Sequence, residues 1–478
     1  MDPLLLHDIL RTTAARVPHR VAVSYRGQTR TFGELAERAE HIATVLAGRG
    51  VRRGDRVAWW GETSIDTGAL YYGAAQAGAV FVPLNPRFNS EEAGAVLDLA
   101  DPALVVHDES HSGDVTLDTL LAERRPSVVD LPEVDEMDAD VIFFTSGTTG
   151  APKGAVLSHR SNRMRTGGAT IGGGLVNAGP AGSIFPQFHW GGWAFVHNAW
   201  YGGDESALVD GGDTESILEA IDRRRVTRFY AIPAVWRRIM EADRSGYDLT
   251  SLRQANTGTS ATPIDLLTRI AENFPGTTTS IGYGATEAGG LAILGPDDVT
   301  RKPGSVGLPS VGVHFRIVDG ELWVRSAQMF SGYFRNPEAT AAALVDGWYR
   351  TGDLVERDDE GYLWVVGRIK DMIRTGGETV APAEVDVVLQ RHPAVADAAV
   401  AGVPDDDWGE IVTAFVVVRA GHTVDLEELR RHCAASLASF KHPRRLMLVD
   451  AIPRTGPTGQ VQRRRLVELA REEASPVR

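Results

Sequence analysis

The chain begins with short apolar runs alternating with amphipathic stretches. Val21-Ala22-Val23-Ser24-Tyr25 predicts a strand. Thr31 with Glu34 three residues on forms a capping box for a helix through Leu46, which Gly48 and Gly50 end. Gly54-Asp55 turns into a strand over Arg56-Val57-Ala58-Trp59-Trp60. A small-residue helix from Gly68 to Ala77 then leads to the strand Val80-Phe81-Val82. The alternation continues through Ala103-Leu104-Val105-Val106, the helix Ile217 to Arg225 and the strand Phe229-Tyr230-Ala231-Ile232. Such alternation predicts α/β layering with parallel strands.

From Gly304 to Val366 the pattern changes to short strands and turns, including Glu321-Leu322-Trp323-Val324 and Tyr362-Leu363-Trp364-Val365, which predicts a small β-subdomain. Gly367-Arg368-Ile369-Lys370-Asp371 reads as a domain junction. Beyond it come a helix from Pro382 to Gln390 and strands at 397–401, 412–418 and 446–449. Leu426, Leu429, Cys433, Leu437 and Phe440 lie at spacings that fit one helix face. The expected fold class is α/β: a large N-terminal domain over 1–368, built of layered α/β subdomains plus a small β-subdomain, and a small α+β C-terminal domain over 369–478.

A length of 478 residues exceeds one core and fits two or three domains. With 43% hydrophobic and 23% charged residues, the composition is that of a soluble globular protein. The formal charge of −14 argues against general nucleic-acid binding. Charge is uneven, however: from Lys441 to Arg478 there are nine Lys/Arg against four Asp/Glu. This is either a solvated basic helix or a surface for a polyanionic ligand such as a nucleotide or CoA. The single cysteine, Cys433, excludes an intramolecular disulfide and a cysteine-based zinc site, and its place on the apolar stripe predicts buried packing. The N-terminus lacks a signal-peptide pattern, and the longest apolar region, Ala69 to Leu84, is too short to span a bilayer. Cytoplasmic localisation is expected.

The chemistry concentrates after the apolar run Val141-Ile142-Phe143-Phe144, itself a predicted buried strand. Thr145-Ser146-Gly147-Thr148-Thr149-Gly150 follows, with Lys153 shortly after. Glycines let the backbone approach closely, successive N–H and hydroxyl groups can donate to phosphate oxygens, and the lysine adds a mobile cation. This is not a Walker A loop, because G-x-x-x-x-G-K-[ST] is absent.

The string T-S-G-T-T-G-x-P-K-G closely resembles the phosphate-binding signature of the acyl-adenylate-forming superfamily, which includes acyl-CoA synthetases and aryl-CoA ligases. The resemblance extends in order along nearly the whole chain. Gly282-Tyr283-Gly284-Ala285-Thr286-Glu287 resembles the family's Y-G-x-T-E block, implying Tyr283 as adenine stacker and Glu287 as Mg²⁺ ligand with Thr145. Tyr349-Arg350-Thr351-Gly352-Asp353 resembles Y-R-T-G-D, implying Asp353 on the ribose hydroxyls with Arg368 beside it. Gly258, Thr259 and Ser260 match the segment lining the adenine and acyl pockets. His189 resembles the gate between acid pocket and thiol tunnel, its alternative being plain packing. Trp190, Gly191, Gly192, Trp193, Gly289 and Gly290 would then line the acid pocket. The tryptophans suggest an aryl or short-to-medium acyl acid. No Lys or Arg within these segments offers a partner for a second carboxylate, which argues against dicarboxylates.

The resemblance further implies Lys370 as the hinge of a mobile C-terminal domain. It implies Gly376 and Gly377 as the lining of the thiol tunnel, although Gly-Gly also reads as a helix-entry turn. One departure stands out. The family's P-x-x-x-x-G-K lysine, which bridges acid and α-phosphate, corresponds here to Gln460 at the end of Pro453-Arg454-Thr455-Gly456-Pro457-Thr458-Gly459-Gln460, a string one residue longer. An altered residue, replacement by Arg454 or Arg463, and a reaction that does not need the lysine are all open at this point. The expected function is an ATP-, Mg²⁺- and CoA-dependent AMP-forming acid:CoA ligase. The alternatives are an adenylating enzyme with a carrier-protein thiol or an amine as acceptor (diazotase-like), and a nucleotide-binding relative with impaired adenylation.

Overall fold

A computed structural model describes residues 4–126, 129–145, 152–172, 178–210, 213–259, 262–455 and 459–474. Two compact units emerge, one comprising the chain to Phe315 with Val324–Tyr349, the other Arg316–Trp323 with Arg350 onward. The unit that holds 369–478 thus also takes in 350–368, because Gly367 packs close to Met372 and Ala381.

The first unit is built on two large sheets. One has nine strands in the order 308–309, 289–294, 281–285, 254–258, 228–230, 181–183, 206–208, 21–25 and 28–31. The other has seven, in the order 332–333, 153–158, 139–145, 80–83, 56–60, 104–107 and 115–116. The strands from 281–285 to 21–25 in the first and from 139–145 to 115–116 in the second pair in parallel, as helix–strand alternation predicts. Helix Phe32–Gly48 begins with both halves of the Thr31–Glu34 capping box in place. Against it lies helix Thr67–Gln76, buried from Thr67 to Ala75. Gly73 permits this approach, since a Cβ there would stand 2.7 Å from the Ala39 carbonyl and 2.8 Å from Ile42.

The β-rich stretch after Gly304 forms a five-stranded sheet of its own, in the order 314–318, 321–325, 348–357 and 344–345 with 363–368 beside 348–357, as its pattern predicts, but not all of it stays there. Its short strands Leu308–Pro309 and Gly332–Tyr333 are edges of the two large sheets; Tyr333 lies opposite Ala155 on strand Lys153–Ser158. Two-residue strands carry too little periodicity to reveal their partners.

In the second unit, strands 378–380, 373–375, 409–418 and 395–405 pair in that order, and 445–448 joins 409–418 in parallel. Helices Pro382–Leu389, Leu426–Ala434 and Arg463–Ala474 complete it. The Cys433 stripe is real but broken. The helix ends at Ala434, a turn follows, and Leu437 and Phe440 still pack on the core around Leu429 and Cys433. Gly376 and Gly377, at φ 58° and 85°, form the two-residue turn joining strands 373–375 and 378–380. They make a hairpin rather than a helix entry, because two successive positive φ values suit a primed turn. The basic tail is largely neutralised within the unit: Arg445 pairs with Glu473, Arg454 with Asp397, Arg463 with Asp386, and Arg464 and Arg465 with Glu468. Among the described residues no helix is long and apolar enough to cross a membrane.

Helix Trp190–Gly202 carries a buried histidine with a measurable consequence. His197 lies among Tyr71, Tyr72 and Trp193, with ring centroids 5.6–5.7 Å away, and burial lowers its pKa to about 3. The native ring therefore stays neutral while the unfolded ring takes a proton near pH 6.5, so stability falls as pH drops from about 6.5 toward 3. His197→Phe should flatten part of that fall, by an amount on the order of a few kcal/mol by pH 4. Urea midpoints of both proteins between pH 7 and 4 check this; parallel curves would contradict it.

Candidate active site

The phosphate-type loop joins strands Ala139–Thr145 and Lys153–Ser158, which are antiparallel with Thr145 opposite Lys153. The hairpin register therefore brings the lysine beside the end of the apolar strand. Ser146, Gly147, Thr148, Thr149, Gly150 and Ser260 lie outside the described residues, as does the side chain of Thr145. The hairpin is anchored from below. Tyr71 donates to buried Asp140 at 2.6 Å, and Asn162 donates to Asp140 at 2.8 Å and to the Tyr71 oxygen at 2.9 Å. This network fixes helix His159–Gly172 against the strand that feeds the loop.

Three side chains converge at the loop's exit. The Lys153 ammonium lies 5.4 Å from the centroid of the Tyr333 ring, and the Tyr333 hydroxyl donates to Glu287 Oε1 at 2.9 Å. Burial and the Glu287 charge push the Tyr333 pKa up, so its hydroxyl remains a donor at neutral pH. Glu287 sits in the tight turn between strands Ile281–Ala285 and Gly289–Leu294, and its carbonyl accepts from the Phe330 N–H at 2.7 Å. Tyr333 escaped the sequence reading because only the edge strand brings it to Lys153. The residues Gly332-Tyr333 before the Asn336-capped helix Pro337–Ala343 were the available signal.

Strand Gln254–Gly258 ends beside Ile281–Ala285. Gly258 is required there, because a side chain would strike the Gly282 carbonyl and the Tyr230 hydroxyl. Thr259 follows at φ 67°, a left-handed conformation that costs a β-branched residue about 1–3 kcal/mol, and its hydroxyl bonds the Gly258 carbonyl at 2.6 Å. Gly284 is equally constrained, since a Cβ would meet the Gly289 carbonyl. Tyr283 is half-buried between these glycines.

His189 caps helix Trp190–Gly202, its Nδ1 accepting the Gly191 N–H at 3.0 Å while its ring stacks on Phe185. Part of its surface reaches solvent, yet desolvation lowers its pKa to about 4, so the imidazole is neutral at pH 7 and carries its proton on Nε2. Trp190 is half-buried on the same turn. Trp193 is fully buried against Tyr71 and Phe81 and supports the turn from within the core. Gly191 and Gly192 allow the turn to close; a Cβ on Gly192 would run into the Pro186 carbonyl. Gly289, at φ 80°, abuts Arg165 and Gln328, whereas no atom of the described residues lies within 4 Å of a Cβ built on Gly290.

In the second unit, Asp353 and Arg368 are cross-strand partners, joined by an ion pair of 2.8 Å; Asp353 is only 3% exposed. Lys370 is exposed in the turn Ile369–Asp371. Trp408 stands over Gly376, and the Arg444 guanidinium lies 3.5 Å from its ring centroid, an exposed aromatic platform that the sequence reading missed. The Gln460 N–H donates to the Thr455 hydroxyl at 3.0 Å. Neither arginine considered as a replacement for the lysine is available as a loose cation. Arg454 holds Asp397 and the Gly459 carbonyl, and Arg463 holds Asp386.

Residues 10–334 match the AMP-binding enzyme family and residues 384–458 the AMP-binding enzyme C-terminal domain. The chain belongs to the acyl-adenylate-forming superfamily. It is 33% identical to a feruloyl-CoA synthase of Amycolatopsis sp, covering 94% of this chain and 96% of that one. It is 31% identical to the indoleacetate–CoA ligase of Aromatoleum aromaticum, over 92% and 93%. Among solved structures, the O-succinylbenzoate CoA synthetase of Bacillus subtilis in complex with AMP superposes with a TM-score of 0.88 at 27% identity, covering 97% of this chain and 98% of that one. ATP-bound MatB from Rhodopseudomonas palustris gives 0.89 at 28% identity, over 99% and 100%. The two matched regions place the phosphate-type hairpin, the Glu287 turn and the His189 turn within the AMP-binding part of the chain.

Proposed function

We infer that this enzyme is an AMP-forming acid:CoA ligase: a carboxylic acid attacks the α-phosphate of ATP, pyrophosphate leaves, and the acyl group of acyl-AMP passes to the thiol of CoA. The observation that carries the site assignment is the meeting of Lys153, Tyr333 and Glu287 at the exit of a hydroxyl- and glycine-rich hairpin loop. In this reading residues 145–150 and Lys153 hold the β- and γ-phosphates. Tyr283 stacks on adenine beside Gly258, Thr259, Ser260, Gly282, Gly284 and Thr286, and Asp353 with Arg368 takes the ribose. Trp190, Gly191, Trp193, Gly289 and Gly290 line or support the acid pocket, and neutral His189 guards the passage to the thiol. Ile369 begins the mobile C-terminal domain, with Lys370 as its hinge.

Mg²⁺ fits this donor set. Among the described residues no three His, Cys, Asp or Glu side chains converge. An ion here would take one carboxylate, Glu287, with Thr145 nearby, and phosphate oxygens for the remainder, the coordination Mg²⁺ prefers. When bound, it neutralises charge on the phosphates. Tyr333 keeps the Glu287 carboxylate oriented, and the loop donors position the polyphosphate. CoA as acceptor is supported by the Gly376-Gly377 turn with the Trp408–Arg444 platform beside it, a stacking surface and a cation suited to a nucleotide-bearing thiol. Use of ATP and CoA supports the expected cytoplasmic location.

The test is pyrophosphate and AMP release over aliphatic and aromatic acids, with and without CoA. Acid-dependent release whose continued turnover requires CoA is expected. Equal turnover without CoA would shift the acceptor to another thiol or an amine. ATP binding with no release from any acid would reject the ligase.

A further inference from the structure

Arg165 lies on helix His159–Gly172, outside every segment that the family resemblance assigns, yet it is 5% exposed at the heart of the acid side of the site. Its Nε donates to the Gln328 carbonyl at 2.7 Å and its Nη1 to the Thr286 carbonyl at 2.9 Å. Its Cζ lies 5.0 Å from the Trp190 ring centroid, and Gly289 is flush against its stem. Its Nη2 is buried and has no hydrogen-bond partner among the described residues. Two of its five N–H donors thus tie the Glu287 turn to the 326–330 turn, and both of those on Nη2 are left over. An unpaired donor on a buried cation is costly, and retention of such a group marks a site that awaits a partner. Burial holds the guanidinium pKa at about 9 against the favourable charge of Glu287, so it is still cationic at pH 7. Gly289, against its stem, brings no side chain to cover it.

We propose that Arg165 is a specificity-determining residue of the acid pocket, its Nη2 receiving a hydrogen-bond acceptor carried on the acid away from the reacting carboxyl. This rests on the ligase reading and narrows it: the favoured acids bear a flat apolar body for the Trp190 face and a phenolic oxygen or second carboxylate at the far end. The pocket segments themselves hold no Lys or Arg, but Arg165 stands beside Trp190 in space.

The experiment uses pairs of acids, 3-phenylpropanoate and phenylacetate each against its 4-hydroxy and 4-carboxy counterpart, with the full-length enzyme and its Arg165→Lys and Arg165→Gln variants. The readout is the ratio of kcat/KM within each pair. The wild type should favour at least one class of substituted acid by about 10- to 100-fold, and both variants should bring the ratio toward one. The hydroxy and carboxy arms tell the two acceptors apart. A role confined to stapling the two turns would slow both members of a pair by the same factor and leave the ratio unchanged, which overturns the proposal, as does a wild-type ratio near one in every pair. If a variant does not fold, calorimetric affinities of the wild type for the same pairs decide: equal affinities reject the proposal, and preference for a substituted acid supports it. Absence of pyrophosphate release from any acid would sink the ligase reading instead, and the same calorimetric comparison would still judge Arg165.

Discussion

Gln460→Lys should raise the rate of adenylate formation by about 10²–10³-fold, because one preorganised donor at a developing charge contributes ~3–4 kcal/mol. The native glutamine donates hydrogen bonds but supplies no charge, and its neighbours do not compensate. Arg454 is committed to Asp397 and Arg463 to Asp386, both within the same unit. Moving either would strand a partly buried carboxylate. The backbone of Gln460 is fixed by Thr455 through two hydrogen bonds, and the substitution leaves both in place. The measurement is pre-steady-state pyrophosphate release with a responsive acid, alongside thioester formation from preformed acyl-AMP. The first should accelerate and the second should not. If neither changes, the natural reaction bypasses this residue and the nucleotide-binding alternative gains.

Glu287→Gln should lower pyrophosphate release by about 10²–10³-fold and increase the Mg²⁺ concentration needed for half-maximal rate. Glutamine retains an oxygen for the Tyr333 hydroxyl and the same length, so the turn between strands Ile281–Ala285 and Gly289–Leu294 should survive and the melting temperature should stay within a few degrees. AMP affinity measured without metal should be nearly unchanged, since the proposed base and ribose contacts lie elsewhere. Rate measurements across a Mg²⁺ titration, with that binding control, check the assignment. An unaltered metal requirement would remove Glu287 from the role.

The capping box at Thr31 and the strand at Val141 were legible because each is a local device: a side chain meets its own helix end, or an apolar run meets a sheet. Lys153 and Glu287 were legible because glycine-rich turns hold them in short motifs. Tyr333 and Arg165 were not. Each reaches its partner across more than a hundred residues of chain, one by pairing an edge strand with Lys153–Ser158, the other by a guanidinium that spans from a helix to two turns. Nothing in the spacing of Arg163-Met164-Arg165 distinguishes the buried arginine from a solvated one. The Cys433 stripe shows the converse limit: side-chain periodicity persisted through a break in the backbone helix, since packing on a common core needs direction and not continuity.

The Asp353–Arg368 ion pair bears on how the cycle ends. With Asp353 as the proposed ribose acceptor, departing AMP would not leave behind a bare, buried carboxylate, because the arginine across the strand already pairs with it. On the proposed role, affinity for the nucleotide would be the difference between two satisfied states, which would keep the grip on AMP moderate. Product release, the slow event in many enzymes, would then be eased by a binding site that can partner itself.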